Sequence, residues 1–150
     1  MLVCGMSKSI WHLAKDETSD LWSAGCIIAM LYLGQRPFTV HEDMEHLAMM
    51  ERILDREIPH WMARQAVACS EMPEGVVFRE DGALDWPAKA PEKEAVERVT
   101  DLQRLRDQVQ THHTEFLAVL LGLLEIDPQK RLAAAAALQS PFFTEEGLKE

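Results

Sequence analysis

The chain has 150 residues, 47% hydrophobic and 27% charged, and its 25 acidic and 15 basic side chains give a formal charge of −10. This composition is typical of one soluble globular domain and excludes wholesale disorder. The acidic balance argues against broad nucleic-acid binding, which needs clustered Lys and Arg, and favours a basic partner.

Targeting and metal-binding signals are also missing from the sequence. No apolar run is long enough to span a bilayer, and the N-terminus does not follow the order of a signal peptide. Three scattered cysteines, Cys4, Cys26 and Cys69, predict no disulfide framework and indicate a reducing compartment. His41 and His46 are five residues apart and face different sides of a helix, so we expect no metal site.

The first half of the chain predicts three helices. Residues 21–33 are nearly all apolar or small, which predicts a buried helix. Residues 18–20 offer capping side chains before it, and Gly34 is a C-terminal stop. Apolar residues at i, i+3 and i+4 spacing predict a second helix over 42–55, and a third short helix follows over 61–69.

The second half begins with a proline- and glycine-rich stretch in which residues 76–78 and 83–86 predict a short hairpin. Residues 92–110 are dense in charge with a narrow apolar stripe, which predicts a solvated amphipathic helix or a pair of short helices. Residues 111–125 predict a buried helix, and residues 133–138 predict a helix by propensity. The predicted fold class is mainly α with a small β-hairpin insertion.

Three strings in this sequence carry a resemblance. DLWSAGCI at 20–27 resembles the DxWSxGC segment that opens helix F of eukaryotic protein kinases, and EHLAMMERIL at 45–54 is similar to the signature that names the LAMMER (Cdc2-like) kinases. DPQKR at 127–131, followed by AL and SPFF at 137–143, resembles the end of the kinase large lobe. The chain therefore resembles the C-terminal lobe of a LAMMER dual-specificity kinase, helices F to I, and its hairpin resembles the insertion after helix G.

The resemblance implies a division of the chain into three segments. Residues 1–17 are a non-matching N-terminal segment, 18–143 are a partial protein kinase domain and 144–150 are a C-terminal tail. The N-lobe and the catalytic loop are absent, because the sequence has no GxGxxG loop, strand Lys, HRD-type Asp or DFG Asp. We expect no cofactor and no catalysis in this chain alone, whereas the parent family uses ATP and Mg²⁺.

The resemblance implies structural roles for three residues. Asp20 corresponds to a helix F carboxylate that supports the catalytic loop, with a plain N-cap carboxylate as the alternative. Trp22 corresponds to a packing residue of the core. Arg131 corresponds to the Arg that pairs with the Glu of an Ala-Pro-Glu motif, but Lys8 falls near that position here. Arg131 then needs another acceptor, such as Asp127, or reaches solvent.

An acidic group lies at the start of the predicted helix G. In a kinase this region borders the peptide groove, so Glu42, Asp43 and Glu45 are candidate substrate-groove residues. LAMMER kinases as a family phosphorylate Arg/Ser-rich splicing factors, and carboxylates suit such basic substrates. The alternative is a solvated charged face.

Three functions follow from the resemblance. The first is part of a LAMMER-type kinase that transfers the γ-phosphoryl group of ATP to Ser, Thr or Tyr of Arg/Ser-rich proteins. The second is a non-catalytic, pseudokinase-like binding module for the same basic proteins. The third is a truncated remnant of a kinase gene, whose uncovered helix F favours aggregation. The resemblance implies nuclear or nucleocytoplasmic residence, and the sequence indicates no particular oligomeric state.

Overall fold

The computed structural model describes residues 17–39, 42–68 and 72–144, which contain seven α-helices and no strands. The helices are α1 (Glu17–Leu33), α2 (Asp43–Leu54), α3 (His60–Ala68), α4 (Lys93–Asp101), α5 (Leu105–Gln108), α6 (Thr114–Leu123) and α7 (Ala134–Leu138), with a final 3-10 helix at Pro141–Phe143. The predicted mainly α fold is confirmed. Apart from one residue each, the predicted segments 1–17 and 144–150 lie outside the described residues, as do Cys4, Lys8, His41 and Cys69.

The proline-rich insertion pairs with itself at one point. Phe78 and Leu84 form an isolated antiparallel bridge, and the backbone N–H of Arg79 donates to the carbonyl of Ala83 at 2.8 Å. Gly82 turns the chain with a φ of +94°, a conformation that favours glycine. The predicted pairing is present, but it is too short to form strands in the described part of this insertion.

The chain divides into two compact units. The described residues of the first unit lie within Phe38–Arg104, and they include α2, α3, α4 and the insertion. Helix α2 packs against α4. Flexible methionines fill much of this core, in which the large side chains below 2% exposure include Phe38, Met50, Leu54, Ile58 and Met62.

The second unit contains α1, α5, α6, α7 and the 3-10 helix. Helix α1 packs against α6, and Gly25 allows the close approach. A Cβ atom at Gly25 would lie 2.9 Å from Leu124 Cδ2 and 3.1 Å from Leu123 Cβ. A small apolar cluster extends this packing, with Val119, Leu123 and Ala137 buried and Leu21, Ile28, Leu132 and Phe142 packed against them.

Helix α1 differs from its prediction at two places. It already includes Glu17, so residues 18–20 lie in a turn of the helix and not before it, and the predicted N-cap is wrong. Ile27, Met30 and Leu31 are 54%, 38% and 76% exposed. Their i, i+3, i+4 spacing places them on one face, which we call the α1 stripe. The expectation that α1 is buried all round is wrong for this face.

The predicted C-terminal ends of α1 and α2 fit the structure. Gly34 follows α1 with a φ of +72°, and its N–H donates to the carbonyl of Met30 at 2.9 Å. Asp55 ends α2 in the left-handed conformation and bonds back to Glu51. In the part of the chain that the structure describes, no helix combines the length and the apolar character needed to cross a membrane.

Candidate functional site

The first turn of α2 sorts the three predicted acidic residues into different environments. Glu42 is the exposed N-cap residue, and Asp43 is half-buried in the first turn. Glu45 is only 1% exposed. Negative side chains at a helix N-terminus are favoured by the partial positive charge of the unpaired N–H groups. The exposed Glu42 and the half-buried Asp43 can be reached by solvent, whereas the side chain of Glu45 cannot.

Glu45 is held by a two-pronged ion pair across the first unit. The Nε of Arg98 donates to Oε1 of Glu45 at 2.8 Å, and its Nη2 donates to Oε2 at 2.8 Å. The same Nη2 also donates to Glu92 Oε1 at 2.9 Å. Hydrogen bonds to Glu45 and then Glu92 raise the pKa of Arg98. Because this carboxylate is buried and paired, Glu45 is a structural residue, and the groove role remains for Glu42 and Asp43.

A second arginine ties the other end of α2 to α4. The Nε of Arg52 donates to the carbonyl of Leu102 at 3.0 Å, and its Nη2 donates to the carbonyl of Thr100 at 3.1 Å. A cation at these carbonyls also suits the negative end of α4. Just beyond α2, Arg104 pairs with Asp55 at 3.3 Å. Sequence analysis missed these arginines, because their partners lie about fifty residues away or are backbone atoms.

Glu51 also turns toward the interior of the first unit. Its Oε1 accepts a hydrogen bond from the backbone N–H of Ile58 at 2.8 Å, which fixes the connection between α2 and α3. Burial raises the pKa of Glu51, and the Ile58 hydrogen bond opposes that shift. The charged residues Glu45, Glu51 and Arg52 of the EHLAMMERIL string thus hold the unit together.

His46 lies under the first turn of α2 and is 3% exposed. Its ring stands edge-on to the ring of Phe38, with 6.2 Å between the centroids. Burial lowers the pKa of His46, and the backbone of Thr39 and the charge of Asp43 oppose this effect. The imidazole is therefore held in its neutral form near pH 7.

Arg131 is the centre of the corresponding network in the second unit, where it is 7% exposed. Its Nη1 donates to the carbonyl of Thr18 at 2.7 Å, its Nε to that of Glu125 at 2.9 Å, and its Nη2 to that of Ile126 at 3.4 Å. The guanidinium carbon lies 5.2 Å from the centroid of the buried Trp22 ring. Arg131 thus does not reach out to solvent, and backbone carbonyls are among its acceptors.

The remaining predicted residues are placed as follows. Asp20 lies in α1 with an exposed side chain, and Cys26 is buried in the same helix. Across the described ranges, no three His, Cys, Asp or Glu side chains are grouped to hold a metal ion. The sequence contains no Gly-rich loop of the GxGxxG type.

Comparison with known proteins gives a consistent result. The protein kinase domain family matches residues 9–143. The serine/threonine-protein kinase AFC3 of Arabidopsis thaliana is 42% identical over 128 residues, with 83% of this chain and 31% of the relative covered. The dual specificity protein kinase CLK2 of Homo sapiens is 38% identical over 136 residues, with 89% and 26% covered.

A solved structure is similar along nearly the whole chain. A crystal structure of a kinase domain has a TM-score of 0.80 and 34% identity, with 93% of this chain and 39% of that chain covered. The present chain therefore spans about a third or less of the length of the curated relatives it matches.

Proposed function

This chain belongs to the protein kinase domain family, and we propose that it forms the part of a LAMMER-type C-terminal lobe that binds the substrate. In a complete kinase this lobe contributes to the transfer of the γ-phosphoryl group of ATP to Ser, Thr or Tyr. We propose that the substrates are basic, Arg/Ser-rich proteins, that they are met in the nucleus or nucleocytoplasm, and that this chain binds them without catalysis. The motifs that hold ATP and Mg²⁺ in the family are missing from its sequence.

The observation that carries the binding proposal is the sorting of charges on α2. Glu45 and Glu51 are used inside the first unit, where Arg98 and the Ile58 amide contact them. Glu42 and Asp43 lead the helix and remain accessible to solvent. Accessible carboxylates attract Arg side chains at long range and bind them by charge-assisted hydrogen bonds. Such binding weakens as salt screens the charges.

Replacing both leading acidic residues tests the proposed peptide site. We expect Glu42→Lys with Asp43→Lys to reduce the affinity for an Arg/Ser-repeat peptide by about tenfold or more, because attraction becomes repulsion. The measurement is a fluorescence-anisotropy titration at low and high salt. The matched control is Glu94→Lys with Glu115→Lys, two exposed positions with the same total charge change. Equal losses in both double variants would reduce the effect to net charge and contradict a localised site.

A nucleotide titration tests the absence of catalysis in this chain. We expect no saturable binding of ATP with Mg²⁺, because the sequence has no loop of backbone N–H groups and no Lys for the phosphates. The measurement follows the amide resonances of the chain up to millimolar ATP, with a complete kinase relative as the positive control. Saturable shifts confined to one cluster of amides would overturn the expectation.

A further inference from the structure

We propose that His46 is an acid-sensitive latch that holds the first turn of α2, and with it the peptide-binding carboxylates, in place. The functional half of this proposal rests on the proposed binding of basic peptides at Glu42 and Asp43. The structural half, the loosening of the turn by acid, stands without it.

The geometry places the imidazole where it cannot be hydrated. His46 is 3% exposed and packs edge-on against Phe38, which is 1% exposed. Its own backbone N–H donates to the carbonyl of Glu42 at 2.8 Å, so the residue that supports the turn from below also closes its first hydrogen bond. Hydrating this ring therefore requires the turn to move.

Charged groups lie on the helix that carries His46 and on the helix that packs against it. Asp43, in the same helix, favours the charged imidazole, as does the backbone of Thr39 in the segment before α2. Helix α4, which packs against α2, presents Arg98, whose guanidinium is engaged by Glu45 and Glu92. Burial outweighs the two favourable contributions, and the neutral ring is favoured in the closed turn.

The direction of the pH effect follows from linkage. In the closed turn the pKa of His46 is lowered, while in an opened turn the ring is hydrated and titrates near its ordinary value of about 6.5. Above that pH the ring is neutral in both states, and no difference arises. As the pH falls below it, the opened turn binds a proton that the closed turn does not, so closure is lost progressively.

Opening of the turn has two consequences for a basic peptide. Glu42 and Asp43 are no longer fixed at the helix start, and an imidazolium appears beside them. Both effects weaken the attraction of Arg side chains. Variants that lack the imidazole but keep Glu42 and Asp43 separate this loss from any direct effect of pH on the carboxylates.

Hydrogen exchange of the whole chain tests the latch without any peptide. Between pH 7.5 and 5.5 we expect the protection factor of the His46 amide, which donates to the carbonyl of Glu42, to fall by up to about tenfold, the change set by one pH unit below the open-state pKa. His46→Gln and His46→Leu remove the titrating group and are expected to abolish this pH dependence. His112→Gln changes an exposed histidine and serves as the matched control. Unchanged protection in the wild-type chain would overturn the latch.

Peptide affinity then separates the two proposals. If the latch controls the site, the affinity for an Arg/Ser peptide falls with pH in the wild type and in His112→Gln, but stays constant in whichever His46 variant folds. If peptide binding by the His46 variants depends on pH as strongly as binding by the wild type does, the latch is overturned and the proposed peptide site is left intact. Acid-loosened protection with no peptide binding at any pH would overturn the proposed function and leave the structural half of the latch standing.

Discussion

Arg98→Ala is expected to destabilise the first unit more than Glu45→Gln at its partner. Glu45 is only 1% exposed, so leaving its carboxylate without the guanidinium costs about 3–5 kcal/mol, the usual range for a buried charge that loses its partner. When Glu45 is removed instead, Arg98 has 41% of its side chain exposed and keeps Glu92 as a partner. Removing Glu45 therefore leaves a charge that water can reach, and the loss is smaller.

Urea unfolding of single and double variants measures this asymmetry. We expect Arg98→Ala to lower the free energy of unfolding more than Glu45→Gln, and Glu45→Gln with Arg98→Ala to recover part of the loss, because no buried charge remains. Arg64→Ala, at an exposed position on α3, is the control for loss of an arginine. Equal costs at positions 45 and 98 would mean that the pair is not buried as described.

Arg131→Lys is expected to destabilise the second unit almost as much as Arg131→Met, although the charge is kept. Three different nitrogens of Arg131 donate to the carbonyls of Thr18, Glu125 and Ile126. A single ammonium group cannot reach all of them, so buried carbonyls lose donors at about 1–3 kcal/mol each. The contact with the Trp22 ring adds about 1–2 kcal/mol that the ammonium recovers only if it stays over the ring.

Thermal unfolding measures the loss of stability in Arg131→Lys, and hydrogen exchange shows whether the start of α1 is loosened. Because Nη1 of Arg131 bonds to Thr18, we expect early exchange at the start of α1 in the Lys variant. Arg36→Met, at an exposed position after α1, is the control for losing an arginine in the second unit. If Arg131→Lys retained wild-type stability, charge and not hydrogen-bond geometry would be the important property.

The sequence allowed most of the helical framework to be predicted. Apolar spacing gave α2 and α6 within a few residues, and Gly34 marked the end of α1 because it adopts a positive φ there. The resemblance to LAMMER-type kinases is confirmed by the matched family and the kinase relatives. These features depend on local patterns or on motifs, and both can be recognised in the sequence alone.

The candidate site was less predictable because its contacts are long-range. Glu45 looks like a solvated residue in its helix, and its partner Arg98 is 53 residues away. The carbonyl acceptors of Arg131 carry no residue identity, so no motif could have indicated them. An evenly apolar helix such as α1 gives no hint of which face is uncovered, and the aggregation expected from the α1 stripe stays a prediction.

The glycine between α1 and α6 has a consequence for the arginine network. Thr18 lies in α1, while Glu125 and Ile126 follow α6, so Arg131 bonds to carbonyls on both sides of the helix contact. The close approach of α1 to α6 depends on Gly25, where a methyl group would meet Leu123 and Leu124. A side chain at position 25 is therefore expected to move α1 away from α6, and with it the Thr18 carbonyl away from the other carbonyls that the Arg131 guanidinium contacts.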